Sequence, residues 1–224
     1  MLRSWYPLAK EVLSLRKHIL RADLCVWIDD VDQNTNVSVL DSQVKSILMA
    51  SISKGLDIVG VVNSAGPNIG LRAAFLAKEQ NLDLTVLAGQ SYKTLEGQEL
   101  FIYKLAKPLP QNLTLDKICQ IAHKNGGFVM ARNAGKRKMQ ILNKLKETSQ
   151  NYPDAVEIYN ANAGGYLDIE VDYPRFISSG ATSGSGLENI NAYTLIGRKD
   201  AAKLGLIQGE EGIDYTPDYL ENVK

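Results

Sequence analysis

The fold class is indicated most clearly by the stretch Gly55-Leu56-Asp57-Ile58-Val59-Gly60-Val61-Val62-Asn63-Ser64. Its apolar, β-branched centre is bounded by glycine on one side and by polar residues on the other, which predicts a buried parallel strand over 58–62. The polar pair then lies at the carboxyl end of that strand. An amphipathic helix precedes it, beginning near Asp41 and ending at Gly55, with an apolar face of Val44, Ile47, Leu48 and Ile52.

Short strands and amphipathic helices alternate on both sides of this stretch, which is the pattern of an α/β domain. Periodicity alone leaves a closed or nearly closed barrel and a doubly wound open sheet as alternatives. The predicted strands cover 22–28, 84–88, 100–103, 128–131, 155–159 and 175–178. Two of the predicted helices cover 71–80 and 136–147, and a third lies between them, capped by Thr114 and closed by Gly126 and Gly127. A further helix is predicted near the N-terminus, with an apolar face of Leu8, Val12, Leu15 and Ile19.

Composition limits the class of protein further. The chain has 224 residues with 45% hydrophobic content, and its 25 basic residues balance 25 acidic ones, so no global field attracts nucleic acid or membrane. We expect one domain over 1–208 and an acidic, aromatic tail over 209–224. Cys25 and Cys119 are predicted to be reduced core thiols. No apolar run reaches the roughly 18 residues of a membrane span and no signal peptide is evident, which predicts a cytoplasmic protein.

Three segments resemble signatures of the PHP family, named for polymerases and histidinol phosphatase. The segment Asp23-Leu24-Cys25-Val26-Trp27 is similar to the family's Asp-Leu-His-x-His, and the segment ending at Asn63-Ser64 to its Thr-Asp-His. The segment 89–98 is similar to its Gly-x-Glu-x-x-Thr-x-Glu-Gly-His. In the family these motifs supply ligands to a cluster of metal ions. The ligand positions here hold Cys25, Trp27, Ser64, Ser91 and Gln98.

Later segments extend the resemblance, which covers roughly 22–186. The segment 126–133 is similar to a Gly-Gly strand ending in Ala-His-Pro, with Arg132 in place of histidine, and 154–160 keeps the family's Glu-x-x-Asn intact. The segment 178–184 is similar to Gly-Ser-Asp-Ala-His, with Thr182 in place of the aspartate and Gly184 in place of the final histidine. The resemblance implies a distorted seven-stranded (β/α) TIM-like barrel of PHP type, with an added N-terminal helix and C-terminal tail.

The substituted positions predict that the metal centre has been lost. A metal cluster needs imidazole and carboxylate donors, whereas tryptophan cannot coordinate, and serine and glutamine are weak neutral donors. The two histidines of the chain, His18 and His123, fall on predicted helices away from the strand ends. We therefore expect no metal, no other cofactor and no catalytic residue.

The strand ends are predicted to form a mouth of neutral hydrogen-bonding groups around one cation: Asn63, Ser64, Ser91, Gln98, Arg132, Asn133, Thr182 and Ser183. Such a mouth can hold a phosphate or carboxylate, or be a hydrated remnant. The basic run Arg132, Lys136, Arg137 and Lys138 can contact the phosphates of a ligand or of nucleic acid, or be a solvated helix face.

Two functional hypotheses follow. The first is a catalytically inactive PHP-like barrel that acts as a binding or scaffolding subunit, with a phosphorylated ligand or nucleic-acid backbone at the former active-site mouth, or with a protein partner or larger assembly. The alternative is a metal-dependent phosphoesterase with a reduced, non-histidine metal site built from Asp23, Asp29 and Glu96. Fold does not dictate the partner.

Overall fold

The computed structural model describes residues 18–28, 37–132, 136–161, 165–166, 173–182, 187, 190 and 192–207, with only the backbone at 37, 136–138, 165–166 and 182. Leu8, Val12 and Leu15 of the predicted N-terminal helix, and the predicted tail over 209–224, lie outside these ranges.

The described residues form ten strands and five helices. The helices are α1 (Val37–Ser53), α2 (Asn68–Glu79), α3 (Leu115–Lys124), α4 (Lys136–Thr148) and α5 (Arg198–Lys203). The strands are β1 (Ile19–Trp27), β2 (Ile58–Asn63), β3 (Thr85–Lys93), β4 (Glu99–Tyr103), β5 (Phe128–Arg132), β6 (Ala155–Asn160), β7 (Gly165–Tyr166), β8 (Arg175–Ser178), β9 (Ala181–Thr182) and β10 (Thr194–Gly197).

The strand pairings form a circuit that returns to its start. The sheet runs β10-β1-β2-β3-β4-β5-β6-β7, while β8 pairs with β6 and β9 pairs with β1. Only Ser179 and Gly180 separate β8 from β9, so these two short strands together close the ring onto β1. The structure is therefore a barrel, as predicted, and not the alternative doubly wound open sheet. Its distortion comes from β4, which is antiparallel to both β3 and β5, whereas β1, β2 and β3 are mutually parallel.

Two parts of the sequence interpretation change. The sequence pattern predicts Ile19 on the N-terminal helix, but the residue begins β1, because it pairs with Gly197 of β10. The sequence pattern does not predict β10. His18, also placed on a helix, lies in a turn directly before β1. The third strand reaches Lys93, since a hairpin through Gly97, at φ +79°, lets it pair with β4 along its carboxyl half.

A ladder of aromatic rings fills the barrel interior. Ring centroids lie 5.6 Å apart for Trp27 and Phe101, 6.5 Å for Phe101 and Tyr103, and 6.1 Å for Tyr103 and Phe128. Gly60 makes room for it, because a Cβ there would lie 2.9 Å from both the Leu24 backbone and the Tyr103 ring. The interior is therefore a packed core, and a site can form only where the strands end.

Candidate functional site at the strand ends

Arg132, the last residue of β5, lies at the centre of the strand ends. Its guanidinium carbon is 5.3 Å from the ring centroid of Trp27 and 5.2 Å from that of Phe101. The side chain is 19% exposed. Two aromatic faces and limited contact with water hold the cation in place, an arrangement that strengthens cation–π attraction.

Two carboxylates flank this guanidinium. Its Nε lies 3.5 Å from Oε2 of Glu157, whose side chain is 1% exposed. One terminal nitrogen, Nη1, lies 3.6 Å from Oε2 of Glu99, which is directly opposite Arg132 in the β4–β5 ladder and is 37% exposed. One ion pair is therefore buried within the barrel and the other is open to solvent at its rim.

The second carboxylate oxygen of Glu157 is held by neutral donors. The hydroxyl of Ser178 donates to Oε1, and Nδ2 of Asn160 lies 3.1 Å from the same atom. Nδ2 of Asn160 also lies 3.3 Å from the Ser178 hydroxyl and 3.8 Å from the sulfur of Cys25. This network joins β1, β6 and β8 below the guanidinium.

Asp23 is a second buried carboxyl group in the same region. Its Oδ1 accepts from the backbone N–H groups of Cys25, at 3.1 Å, and Ser179, at 3.2 Å, and its Oδ2 accepts from the Ser179 hydroxyl. Burial raises the pKa of Asp23 to about 7, with a smaller contribution from the charge of Glu157, against the opposing effect of these hydrogen bonds. Burial, followed by the charges of Glu157 and Asp23, raises the pKa of the Cys25 thiol well above its usual value, so the thiol is neutral at physiological pH.

Several predicted mouth residues have other partners. Asn63 donates through Nδ2 to the Ile28 carbonyl at 2.9 Å and accepts from the Ala65 N–H at 2.7 Å. Gln98 donates through Nε2 to the carbonyls of Glu99, at 2.9 Å, and Arg132, at 2.8 Å. Both amides thus bind the backbone.

The remaining predicted positions differ in how far the structure describes them. Ser64 is exposed. Ser91 is half-buried and directly opposite Phe101, so it faces the barrel interior. Asn133, Ser183 and Gly184 lie outside the described residues, and Thr182, Lys136, Arg137 and Lys138 are described only in their backbone.

The residues that sequence reasoning missed are the acidic and hydroxyl partners of Arg132 and Asp23. The intact Glu-x-x-Asn segment, Glu157 to Asn160, was a usable signal, because its two polar side chains are buried together here. The pairing of Glu99 with Arg132 depends on strand register, and no sequence pattern marks it.

The donor chemistry of this site does not fit a metal cluster. Cys25 is a neutral thiol, Trp27 offers no donor, and a permanent cation already lies between Glu157 and Glu99. Within the described ranges, no group of three or more His, Cys, Asp or Glu side chains is arranged to hold a metal ion.

Of the three carboxylates that the alternative hypothesis assigns to a reduced metal site, the structure describes two, and these two have different surroundings. Asp23 is fully buried in β1, whereas Glu96 is exposed and its carboxylate accepts from the Leu115 N–H, at 3.2 Å, at the start of α3. Asp29 lies outside the described residues.

Comparison with known proteins supports the fold. No protein-family model and no curated protein matches the chain. The structure is similar to that of a protein from Bifidobacterium adolescentis provisionally described as a metal-dependent phosphoesterase, with a TM-score of 0.50 and 10% identity over 71% of this chain and 87% of that one. It is also matched to the lesion-specific endonuclease PfuEndoQ from Pyrococcus furiosus, with a TM-score of 0.46 and 12% identity over 77% of this chain and 50% of that one. None of the described helices is long and apolar enough to cross a bilayer.

Proposed function

We propose that this protein is a PHP-like barrel that no longer hydrolyses phosphate esters and acts as a binding or scaffolding subunit. The observation that carries the proposal is the position of Arg132, whose guanidinium lies beside Glu157 at the strand ends. The resemblance implies a metal-ligand histidine at this position, and an arginine there both removes a ligand and repels cations.

The chemistry available at the site supports this proposal. Metal-assisted ester hydrolysis needs a Lewis acid and an activated water. Glu157 accepts hydrogen bonds from Ser178 and Asn160 and is paired with Arg132, so its position is fixed by protein groups. Asp23 is fully buried and bonded to Ser179, away from solvent water.

A phosphate-bearing ligand is the occupant we propose for the mouth. Arg132 is partly exposed, and its ion contacts of 3.5 and 3.6 Å are longer than hydrogen bonds, so a phosphate can compete with the exposed Glu99 for the terminal nitrogens. Lys136, Arg137 and Lys138 begin helix α4 soon after Arg132 and add positive charge along the chain. A phosphorylated small molecule and a nucleic-acid backbone present the same chemistry.

The hydrolytic alternative is tested by assaying the purified protein on bis-p-nitrophenyl phosphate with added Mn²⁺ or Zn²⁺. The proposal expects turnover no greater than that of an Asp23→Asn, Glu96→Gln double variant. Metal-dependent turnover that this double variant abolishes would favour the phosphoesterase hypothesis instead.

The binding proposal is tested with a 5′-phosphorylated single-stranded oligonucleotide and with inorganic phosphate as separate probes. Arg132→Ala should weaken binding of at least one probe by tenfold or more, about 1.4 kcal/mol. Arg72→Ala is the matched control, because Arg72 also lies in an ion pair and over an aromatic ring, but between α1 and α2. Equal affinity for wild type and Arg132→Ala contradicts a role for Arg132 in binding.

A further inference from the structure

We infer that Arg132 is a built-in counter-ion: its guanidinium supplies, from the chain itself, the positive charge that a metal would supply at these strand ends. This inference rests on the proposed function for its premise that no metal occupies the site. It goes further in assigning to Arg132 the task of neutralising Glu157 and joining the strands around it.

The burial of Glu157 creates the need for such a charge. Its side chain is 1% exposed, and a buried carboxylate is strongly destabilising unless it is both hydrogen-bonded and paired. Ser178 and Asn160 supply hydrogen bonds to Oε1, but both are neutral. Arg132 places a cation 3.5 Å from Oε2, and its guanidinium balances the negative charge of this carboxylate.

Asp23 shows the other solution to the same problem. Asp23 and Glu157 are the acidic side chains that are buried within the described ranges. The hydrogen bonds described for Asp23 come from the neutral groups of Cys25 and Ser179, and its pKa rises to about 7. One buried carboxyl group is thus neutralised by a proton, and the other by a guanidinium.

Arg132 is held in position from several directions. Its carbonyl accepts from the Gln98 side chain, and its guanidinium lies over Trp27 of β1 and Phe101 of β4. With Glu157 on β6, a single side chain on β5 therefore contacts three other strands. A metal cluster that draws ligands from scattered strand ends joins them in a comparable way, so the guanidinium also replaces that mechanical link.

A double-mutant cycle tests the inference through thermal unfolding of the full chain. Arg132→Met removes this cation from beside a buried carboxylate and should lower Tm by about 6–20 °C. Adding Glu157→Gln, which keeps an acceptor for Ser178 and Asn160, should recover at least half of that loss. If the double variant instead loses the sum of the two single losses, the carboxylate and the guanidinium are uncoupled and the inference is overturned.

Two further variants keep the test decisive. Arg132→Lys retains the positive charge without the planar guanidinium, so its Tm should lie between those of wild type and Arg132→Met. A Tm at or below that of Arg132→Met contradicts a counter-ion role. The matched cycle at the half-buried pair, Arg72→Met with Asp41→Asn, should show a smaller coupling, because the carboxylate of Asp41 is 21% exposed and that of Glu157 only 1%. Coupling at Arg132–Glu157 no larger than in this control also overturns the inference.

The proposed function and the counter-ion inference fail in different ways. Metal-dependent turnover by the wild-type protein removes the proposed function. Additive losses in the Arg132–Glu157 cycle, in a wild-type protein without turnover, remove only the counter-ion role.

Discussion

Ser179 donates both its backbone N–H and its hydroxyl to the carboxyl group of Asp23, although the two residues lie 156 positions apart in the sequence. Asp23 belongs to β1. Ser179 directly follows β8, and only Gly180 separates it from β9. Because β9 pairs with β1, these hydrogen bonds lie at the seam where the barrel closes. The seam is thus held by a buried polar contact in addition to a two-residue strand.

The raised pKa of Asp23 predicts a specific pH dependence of stability. The folded protein keeps this proton up to about pH 7, whereas the unfolded chain releases it near the ordinary aspartate pKa of 3.8. Between these values the folded state binds more protons, so this group's contribution to stability falls as pH rises, by at most about 1.4 kcal/mol per pH unit.

Asp23→Asn should remove that slope. Urea unfolding at pH 5, 6, 7 and 8 measures it, and the stability of the variant relative to wild type should improve from pH 5 to pH 7 and then level off toward pH 8. An unchanged difference between the two proteins at all four values would contradict a buried, protonated Asp23.

His123 should also make the stability of the protein depend on pH, but over a different pH range. Its Nε2 lies 3.1 Å from Oδ2 of Asp154, and this hydrogen bond raises the pKa of His123 above its ordinary 6.5. The stabilisation is complete below pH 6.5 and is lost as pH rises through the higher folded-state pKa. Both side chains are 30% exposed, so screening limits the effect to under about 1 kcal/mol. Replacing His123 by Gln should lower the urea midpoint more at pH 5.5 than at pH 8.5, and the reverse order would refute this assignment.

Gly180, in the turn between β8 and β9, is predicted to tolerate no side chain. Its φ is +62°, and a Cβ would lie 2.3 Å from Oδ1 of Asn160, whose amide binds Glu157. Gly180→Ala should therefore destabilise the protein by about 2–4 kcal/mol, through backbone strain and displacement of Asn160. Gly97→Ala is the control, because Gly97 has φ +79° but open space around it, and it should lose only about 1 kcal/mol. Equal losses in denaturant unfolding would show that Asn160 does not constrain this turn.

The sequence predicted the large features of the fold because they depend on local patterns. Both the alternation of strands and helices and the Thr114 cap, whose side chain accepts from the Lys117 N–H, follow from nearby residues. Ile19 was misread because its spacing from Leu15 fits a helix equally well, and its partner Gly197 is remote in sequence. The closing strand β9 is only two residues long, which is too short for any periodicity to reveal.

At the site, sequence reasoning identified single positions better than their partners. Arg132 was expected at the mouth, and it lies among the strand ends. Its acid partners Glu99 and Glu157 were not expected, because side-chain partners across a barrel are set by strand register and not by sequence spacing. Asn63 was expected to line the mouth and Gln98 to stand at a former metal-ligand position, but the amides of both residues bind backbone groups.

Gln98 is accordingly predicted to be a structural residue. Gln98→Ala leaves the carbonyls of Glu99 and Arg132 without this donor and should reduce the unfolding free energy by about 1–3 kcal/mol. Ser64→Ala, at another former ligand position that is exposed, should change it by less than about 0.5 kcal/mol. Chemical denaturation compares the two, and a neutral Gln98→Ala would show that these hydrogen bonds add nothing.

The most direct test of the proposed loss of a metal centre is the metal content of the full chain after equilibration with Mn²⁺ and Zn²⁺ and gel filtration, read by elemental analysis. Because the guanidinium of Arg132 lies beside Glu157 and repels cations, we predict far less than one bound ion per chain in wild type. One or more ions per chain, lost on replacement of Asp23 or Glu157, would contradict the account.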